Sequence, residues 1–320
     1  SAIDLEPYLG SRRELSYISS KGCDNTCRFC AITCGYNEHW YPLPADRVVS
    51  EIVELAKRYK LDKIRFVDAN FFADEARVIG ICEGFIRSGL TLAWQAPGRV
   101  DQMLAYADET WHLIQQSGCE WIETGIESGS FKILDKMEKH IVPCQATRFA
   151  EKLGQLGISG CYNFILGYPG ESMDDVKDTI LTAFDLHTRY PDSKFAIYRY
   201  SPIPITDQYE TICGPVPGSG DPLAVEDFQI YRLSSDQPWL SPDMANLIDM
   251  LFYYYLPYSL RSPGRIPISL RQMCKNLLIR LAQKRVKTFN FQFPFEWWLL
   301  RLGTHLSACN PQRFRQWAQS

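Results

Sequence analysis

Along residues 15–206, strand-like and helix-like segments alternate with successive strands roughly thirty residues apart, and no other feature restricts the fold as tightly. "LSYISS" (15–20) reads as a strand running into a loop. "ADRVVSEIVELAKRYK" (45–60) sets Val48, Val49, Ile52, Leu55 and Ala56 on one helical stripe, and "KIRFVDANFF" (63–72) follows as a buried strand with a polar end. The pairing repeats: helix 74–89, closed by Gly89, precedes strand 90–101. Helix 108–118 precedes strand 119–129, helix 143–157 precedes strand 158–171, and helix 172–191 precedes strand 193–206. Repeated βα units demand a parallel sheet with helices outside. A closed eight-fold barrel takes about 250 residues, so six units predict an α/β fold of a particular kind: a partial (β/α)6 TIM-like barrel over residues 15–210. Residues 1–14 read as a linker and 211–320 as a mostly helical, basic extension.

At 46% apolar and 22% charged residues the chain can bury a substantial core, and its longest apolar run, "MLFYYYL" (250–256), is far too short to cross a bilayer. The first residues show no secretory signal, which leads to the expectation of a cytoplasmic protein with reduced thiols. Eleven cysteines, an odd number, do not suggest a disulfide framework. Cys82, Cys119, Cys161, Cys213 and Cys274 are expected to be small buried hydrophobes; Cys34, Cys144 and Cys309 are ambiguous. Cys23, Cys27 and Cys30 stand apart, spaced CxxxCxxC within "GCDNTCRFCAI" (22–32). Two thiols would form a disulfide and leave one over, and four would close a zinc site. Three suit a cubane [4Fe–4S] cluster, ordinarily held by four cysteines, with one iron left open. Three unrelated thiols, or a zinc site borrowing Cys34, are the competing readings.

With Phe29 just before the third cysteine, and placed after the first strand, this loop resembles that of the radical S-adenosylmethionine (SAM) superfamily. Flanking motifs match in order across residues 16–206. The resemblance implies that Cys23, Cys27 and Cys30 hold a [4Fe–4S] cluster whose open iron is chelated by SAM, and that reductive cleavage yields a 5′-deoxyadenosyl radical. It implies a set of SAM contacts as well: Phe29 in the loop, Asp68 and Asn70 in "IRFVDANFFAD" (64–74) near the amino group, and Glu127 and Ser128 in "ETGIESGS" (123–130) near the ribose. Phe164, Leu166 and Gly167 in "NFILGYPGES" (163–172) would surround adenine, with Tyr198 in "YRYSPIP" (198–204) beside it. Strand C-terminal ends are where barrel enzymes place their functional groups. Two assignments stay open: Arg99 pairs with the SAM carboxylate or makes a structural salt bridge, and Asp68 contacts SAM or caps the next helix. Tyr36, His39 and Trp40 either shield the cluster or pack their loop.

The finer pattern, "DLEPYL" with "YPLPADRVVSEI", "DANFFAD", "GIESGSFKILDKMEK" and "FILGYPGES", resembles the cobalamin-dependent class, typified by methylases of unactivated carbon or phosphorus and by oxygen-independent magnesium-protoporphyrin ester cyclase. That class implies methylation or rearrangement of an unactivated carbon, a reductant such as flavodoxin or ferredoxin, and cobalamin. The chain starts at what would be the linker after a cobalamin-binding domain, so cobalamin would come from a partner chain or a preceding segment, or is not used. The alternatives are a cobalamin-independent hydrogen-abstracting enzyme and a non-catalytic iron–sulfur or zinc scaffold.

Charge is unevenly spread. Of 34 Lys and Arg residues 11 fall after position 260, with one acid, Glu296. Such a tail packs on the acidic body or meets an anionic partner. An anionic or extended apolar substrate is expected. Trp297 and Trp298 with Leu299 and Leu300 either close the barrel's open side or rest on a membrane surface. An RNA-binding module is not evident, and nucleic acid is not an expected partner.

Overall fold

The computed structural model describes residues 4–203, 205–213, 237, 239–261 and 270–298. Its elements run β1 (Glu14–Tyr17), β2 (Ser20–Gly22), α1 (Ala31–Gly35), β3 (Trp40–Pro42), α2 (Ala45–Tyr59), β4 (Lys63–Phe66), α3 (Glu75–Ser88) and β5 (Ala93–Pro97). They continue as α4 (Val100–Leu104), α5 (Asp108–Gln116), β6 (Cys119–Glu127), α6 (Phe131–Lys136), α7 (Pro143–Leu156), β7 (Ser159–Leu166), α8 (Met173–Arg189) and β8 (Lys194–Arg199). A helical layer follows: α9 (Asp207–Cys213), α10 (Pro242–Met250), a π-helical turn (Leu251–Tyr255), α11 (Leu256–Ser259) and α12 (Leu270–Thr288).

Six strands form one sheet in the order β1-β4-β5-β6-β7-β8, every neighbouring pair parallel. Among the described residues β1 and β8 are the two edges, so the sheet is an open barrel wall, as the six βα units predict. Period-two alternation gives each strand two faces. Ile64, Phe66, Trp94, Ala96, Ile122, Ile126, Tyr162 and Phe164 pack under the helices in the main core. Their neighbours Arg65, Gln95, Glu123, Asn163 and Tyr198 belong to the opposite, concave face. The helices end where the sequence signals: Asp74 accepts from the Arg77 N–H at the start of α3, Gly89 closes it at φ 67°, and Ser172 with Asp175 forms a capping box on α8.

The helical layer has its own core. Leu166, Val176 and Ile180 of the barrel meet Leu247, Ile248, Leu251, Tyr255, Ile279, Ala282 and Val286. α12 presents only part of its apolar set to this core. Met273 and Leu277 are exposed, because the stripe that fits the barrel is Ile279–Ala282–Val286, spaced three and four apart. Cys274 is exposed too, whereas Cys82, Cys119 and Cys161 are buried as expected. Glu296 is buried; it accepts from Tyr255 Oη at 2.8 Å and pairs with Arg285, so the tail's lone acid is spent on an internal contact. Phe289, Phe291 and Trp297 pack on this core, while Phe293, Phe295 and Trp298 are exposed. Residues 214–222, Cys309, Leu299 and Leu300 lie outside the described residues.

Candidate cofactor site

The C-terminal ends of the strands surround a cavity of about 470 Å³. At its rim a short antiparallel hairpin, β2 with β3, frames the cysteine loop. Gly22 sits at φ 77°, and a Cβ there would overlap the His39 carbonyl oxygen, so glycine alone fits the point where the loop leaves the hairpin. The loop is pinned by an Arg28 N–H bond to the Met137 carbonyl at 3.1 Å and by a Cys30 N–H bond to the Cys27 carbonyl at 3.0 Å. Phe29 packs against a small cluster of Ile133, Met137, Ile165 and Tyr168.

Cys23, Cys27 and Cys30 all line this cavity. Among the described residues no three His, Cys, Asp or Glu side chains converge on an ion-sized point. The three thiols share the lining of a space with room for a body larger than a single ion. Two donors reach the sulfurs: Asn25 Nδ2 donates to Cys23 Sγ at 3.4 Å and Arg99 Nη1 to Cys27 Sγ at 3.2 Å. Burial pushes the Cys27 thiol up, and Lys139 and Arg99 pull against that.

Across the cavity stands a buried ion pair. Lys139 Nζ donates to Glu127 Oε1 at 2.9 Å, with both side chains 9% exposed. Burial opposes the charge on Lys139, yet the Glu127 carboxylate beside it holds its pKa above the ordinary value. Glu127 has φ 64°, a left-handed conformation that a non-glycine residue adopts at some cost. The conformation turns the carboxylate at the strand end into the cavity. Gly125 makes room, since a Cβ there would overlap Glu127 Oε1 and lie 3.0 Å from Lys139 Nζ. Arg99 is tied to Asp101 at 2.9 Å and to the Lys139 carbonyl at 2.6 Å, so the structural salt bridge exists and the guanidinium also borders the cavity.

Of the residues singled out in the sequence, Cys23, Cys27, Phe29, Cys30, Arg99, Glu127 and Tyr198 come together around the cavity. Others point elsewhere. Asp68 neither lines it nor caps a helix; it accepts from the Ser19 N–H, Ser19 Oγ and Ser20 Oγ at 2.6–2.7 Å. Ala69 borders the cavity at that strand end. Asn70 is fully buried, donating to Gln102 Oε1 at 2.7 Å. Ser128 shares a hydrogen bond with Thr179 Oγ1 at 2.8 Å. Phe164 and Leu166 face the helices, and Gly167 donates its N–H to Glu171 and accepts from Trp239 Nε1. From that strand it is Asn163 and Ile165 that line the cavity, one residue out of phase with those expectations. Tyr36, His39 and Trp40 do not line it; Trp40 lies under the Arg77 guanidinium instead.

Lys139 lines the cavity and pairs with Glu127, and sequence reading did not single it out. In "MEKHI" it looks like a solvated loop lysine. The signal was its place directly after the motif whose carboxylate it neutralises.

The radical SAM superfamily profile matches residues 17–183. Among curated proteins, uncharacterized methyltransferase PH0819 of Pyrococcus horikoshii is 28% identical over 190 residues, covering 57% of this chain and 41% of that protein. The anaerobic magnesium-protoporphyrin IX monomethyl ester cyclase of Rubrivivax gelatinosus is 25% identical over 233 residues, covering 72% and 39%. The chain thus spans about two fifths of the length of these relatives. Among solved structures, the cobalamin-dependent SAM radical enzyme OxsB superposes with a TM-score of 0.58 at 17% identity, covering 86% of this chain and 49% of that one. TsrM, a radical SAM methyltransferase from Kitasatospora setae, gives 0.57 at 16%, covering 66% and 40%. The open parallel sheet is the fold of those enzymes, and this chain belongs to the radical SAM superfamily.

Proposed function

We propose that this chain binds a [4Fe–4S] cluster through Cys23, Cys27 and Cys30 and cleaves SAM reductively at it, to methylate or rearrange an unactivated carbon. The observation that carries this is the meeting of three cysteine thiols with a buried Glu127–Lys139 pair around one cavity. About 470 Å³ is within the range of cofactor-sized pockets. The cavity also holds polar atoms in want of partners: Thr124 Oγ1, Asn163 Oδ1 and Arg199 Nη2 are buried and unbonded. When bound, the cluster with SAM supplies a 5′-deoxyadenosyl radical.

The chain's own residues bind, orient and exclude water. Arg99 and Asn25 donate to cluster-ligating sulfurs, and the Arg99 charge works against the burial that pushes the Cys27 thiol up. Lys139 and Arg99 present cationic groups to a carboxylate, and Glu127 accepts from an amine or hydroxyls. Tyr198, more than half exposed, forms an apolar wall with Ile203 at the open side. Methylation is favoured over other outcomes by the methyltransferases among the relatives, and OxsB, a cobalamin-dependent neighbour, supports cobalamin as a further cofactor. A reductant such as flavodoxin or ferredoxin would deliver the electron.

The test is anaerobic reconstitution with iron and sulfide. A reducible cluster and release of 5′-deoxyadenosine from SAM on reduction are expected. A cluster that survives replacement of all three cysteines by alanine, or a reduced cluster that leaves SAM intact, would overturn the proposal.

A further inference from the structure

The charges lining the cavity are unevenly matched. Arg99 pairs with Asp101, Lys139 with Glu127, and Arg199 with Asp249 at 2.7 Å. Glu123 lines the same cavity and, among the described residues, makes no ion pair; its hydrogen bond comes from Asn163 Nδ2 at 3.0 Å. Glu123 also borders a second, smaller space of about 20 Å³ beneath the first, the two sharing Pro97 as well. Gln95 lines that space. It is 9% exposed, and its Oε1 has no partner. Asn163 Oδ1 is likewise buried and unbonded.

Adjacent strands β5 and β6 thus set one carboxylate without a cationic partner beside one unfilled amide oxygen, Gln95 Oε1, at the small space, while Asn163 on β7 holds Glu123 from the upper cavity. A buried acceptor without a donor costs about 1–3 kcal/mol. A cavity of about one water's volume could admit a single water to serve both. Water brings no positive charge. Two cations approach from the strands on either side: Arg65 lines the small space but is solvent-exposed, and Lys194 Nζ rests on the Trp121 ring 3.8 Å from its centroid. Neither forms a salt bridge with Glu123.

We infer that Glu123 and Gln95, with Asn163 holding the Glu123 carboxylate, form a recognition subsite for a protonated amine carried by the substrate. This rests on the reading of the upper cavity as the SAM site, and names the chemistry of what lies below it. A compact ammonium, water-sized and positively charged, matches a carboxylate without a cationic partner and an amide oxygen without a donor. A carboxylate or phosphate at the same place would face acceptors and a like charge. The anionic or apolar character expected from the basic tail would then describe a different part of the substrate.

The test uses fragment probes on the full chain, n-butylammonium, n-butanol and butyrate, with binding followed by saturation-transfer NMR. Wild-type protein should bind butylammonium and not butyrate, and Glu123→Gln should weaken the amine at least about tenfold, the loss of a charged hydrogen bond. Asn163→Leu should weaken it less. Preferential butyrate binding, or equal affinity of butylammonium in wild type and Glu123→Gln, would overturn the inference. SAM binding, measured by equilibrium dialysis on the reconstituted protein, separates the two proposals. If Glu123→Gln loses SAM as well as amine, the subsite belongs to SAM and the inference fails while the SAM site stands. If wild type binds no SAM but takes up butylammonium in a Glu123-dependent way, the SAM reading fails and the amine subsite remains.

Discussion

Two carboxylates near the ends of parallel strands, Asp68 after β4 and Glu127 at the end of β6, are both nearly buried, yet they serve opposite ends. Asp68 is saturated by its own chain: a backbone N–H and two serine hydroxyls occupy it, and Ser19 in turn accepts from Arg77 Nη2 at 2.7 Å. Glu127 has a lysine on one oxygen and the cavity on the other side. The backbone tells them apart, since Glu127 adopts a left-handed conformation and Asp68 does not. A strand-end acid is therefore a candidate ligand only where its hydrogen-bonding capacity is left over. Glu171, following β7, is intermediate: Oε2 accepts from the Gly167 N–H at 2.6 Å, while Oε1 is buried without a partner.

Replacing each acid or its partner in turn would break this contrast if it is wrong. The largest effect is expected at Asp68. Asp68→Ala strips three buried donors and the charge balancing Arg77, and should cost about 3–5 kcal/mol in denaturant unfolding. SAM affinity of the remaining folded protein should hold. A loss of SAM binding with stability intact would move Asp68 into the site. Next is Lys139→Met, which leaves Glu127 buried and unpaired and should cost about 3 kcal/mol. Adding Glu127→Gln should recover most of that stability without restoring SAM binding; full recovery of both would make the pair merely structural.

The third test uses pH. Burial pushes the Glu171 carboxyl up to about 7 from 4.5, so the native state holds its proton more tightly than the unfolded chain does. That contribution is complete below 4.5 and disappears as pH rises through about 7, a swing on the order of 3 kcal/mol. Glu171→Gln should therefore gain relative to wild type between about pH 5 and pH 8. A difference that stays flat would show that Glu171 ionises freely. The smallest change is expected at an exposed acid. Arg47→Ala removes the partner of Glu51 on α2, a surface pair, and should shift stability by no more than about 0.5 kcal/mol.

Much of the barrel could be read directly from the amino acids. The stripe on α2, the glycine closing α3 and the capping box of α8 are local signals that tertiary packing reinforced. The β2–β3 hairpin and the short helices α4 and α6 were not legible, since three to six residues carry too little periodicity to register. The cysteine loop and Glu127 were read from their motifs, and both do line the cavity. Phe164 and Leu166 were misplaced because a motif names consecutive positions while a strand shows every second one to each side. Asn163, Glu123 and Lys139 escaped notice because their meaning depends on which neighbours leave them unsatisfied, and only the fold decides that.

The gap between β1 and β8 has a mechanical consequence. The bore of a closed barrel is fixed by strand number and stagger, whereas among the described residues no ladder hydrogen bond joins the two rims here. The width available to an incoming molecule is set by the side chains along the seam, with Ile18 and Tyr198 exposed on its two sides. An open seam suits a bulky or tethered molecule better than a closed bore does, and trimming those two residues is expected to widen it while the wall itself stays whole.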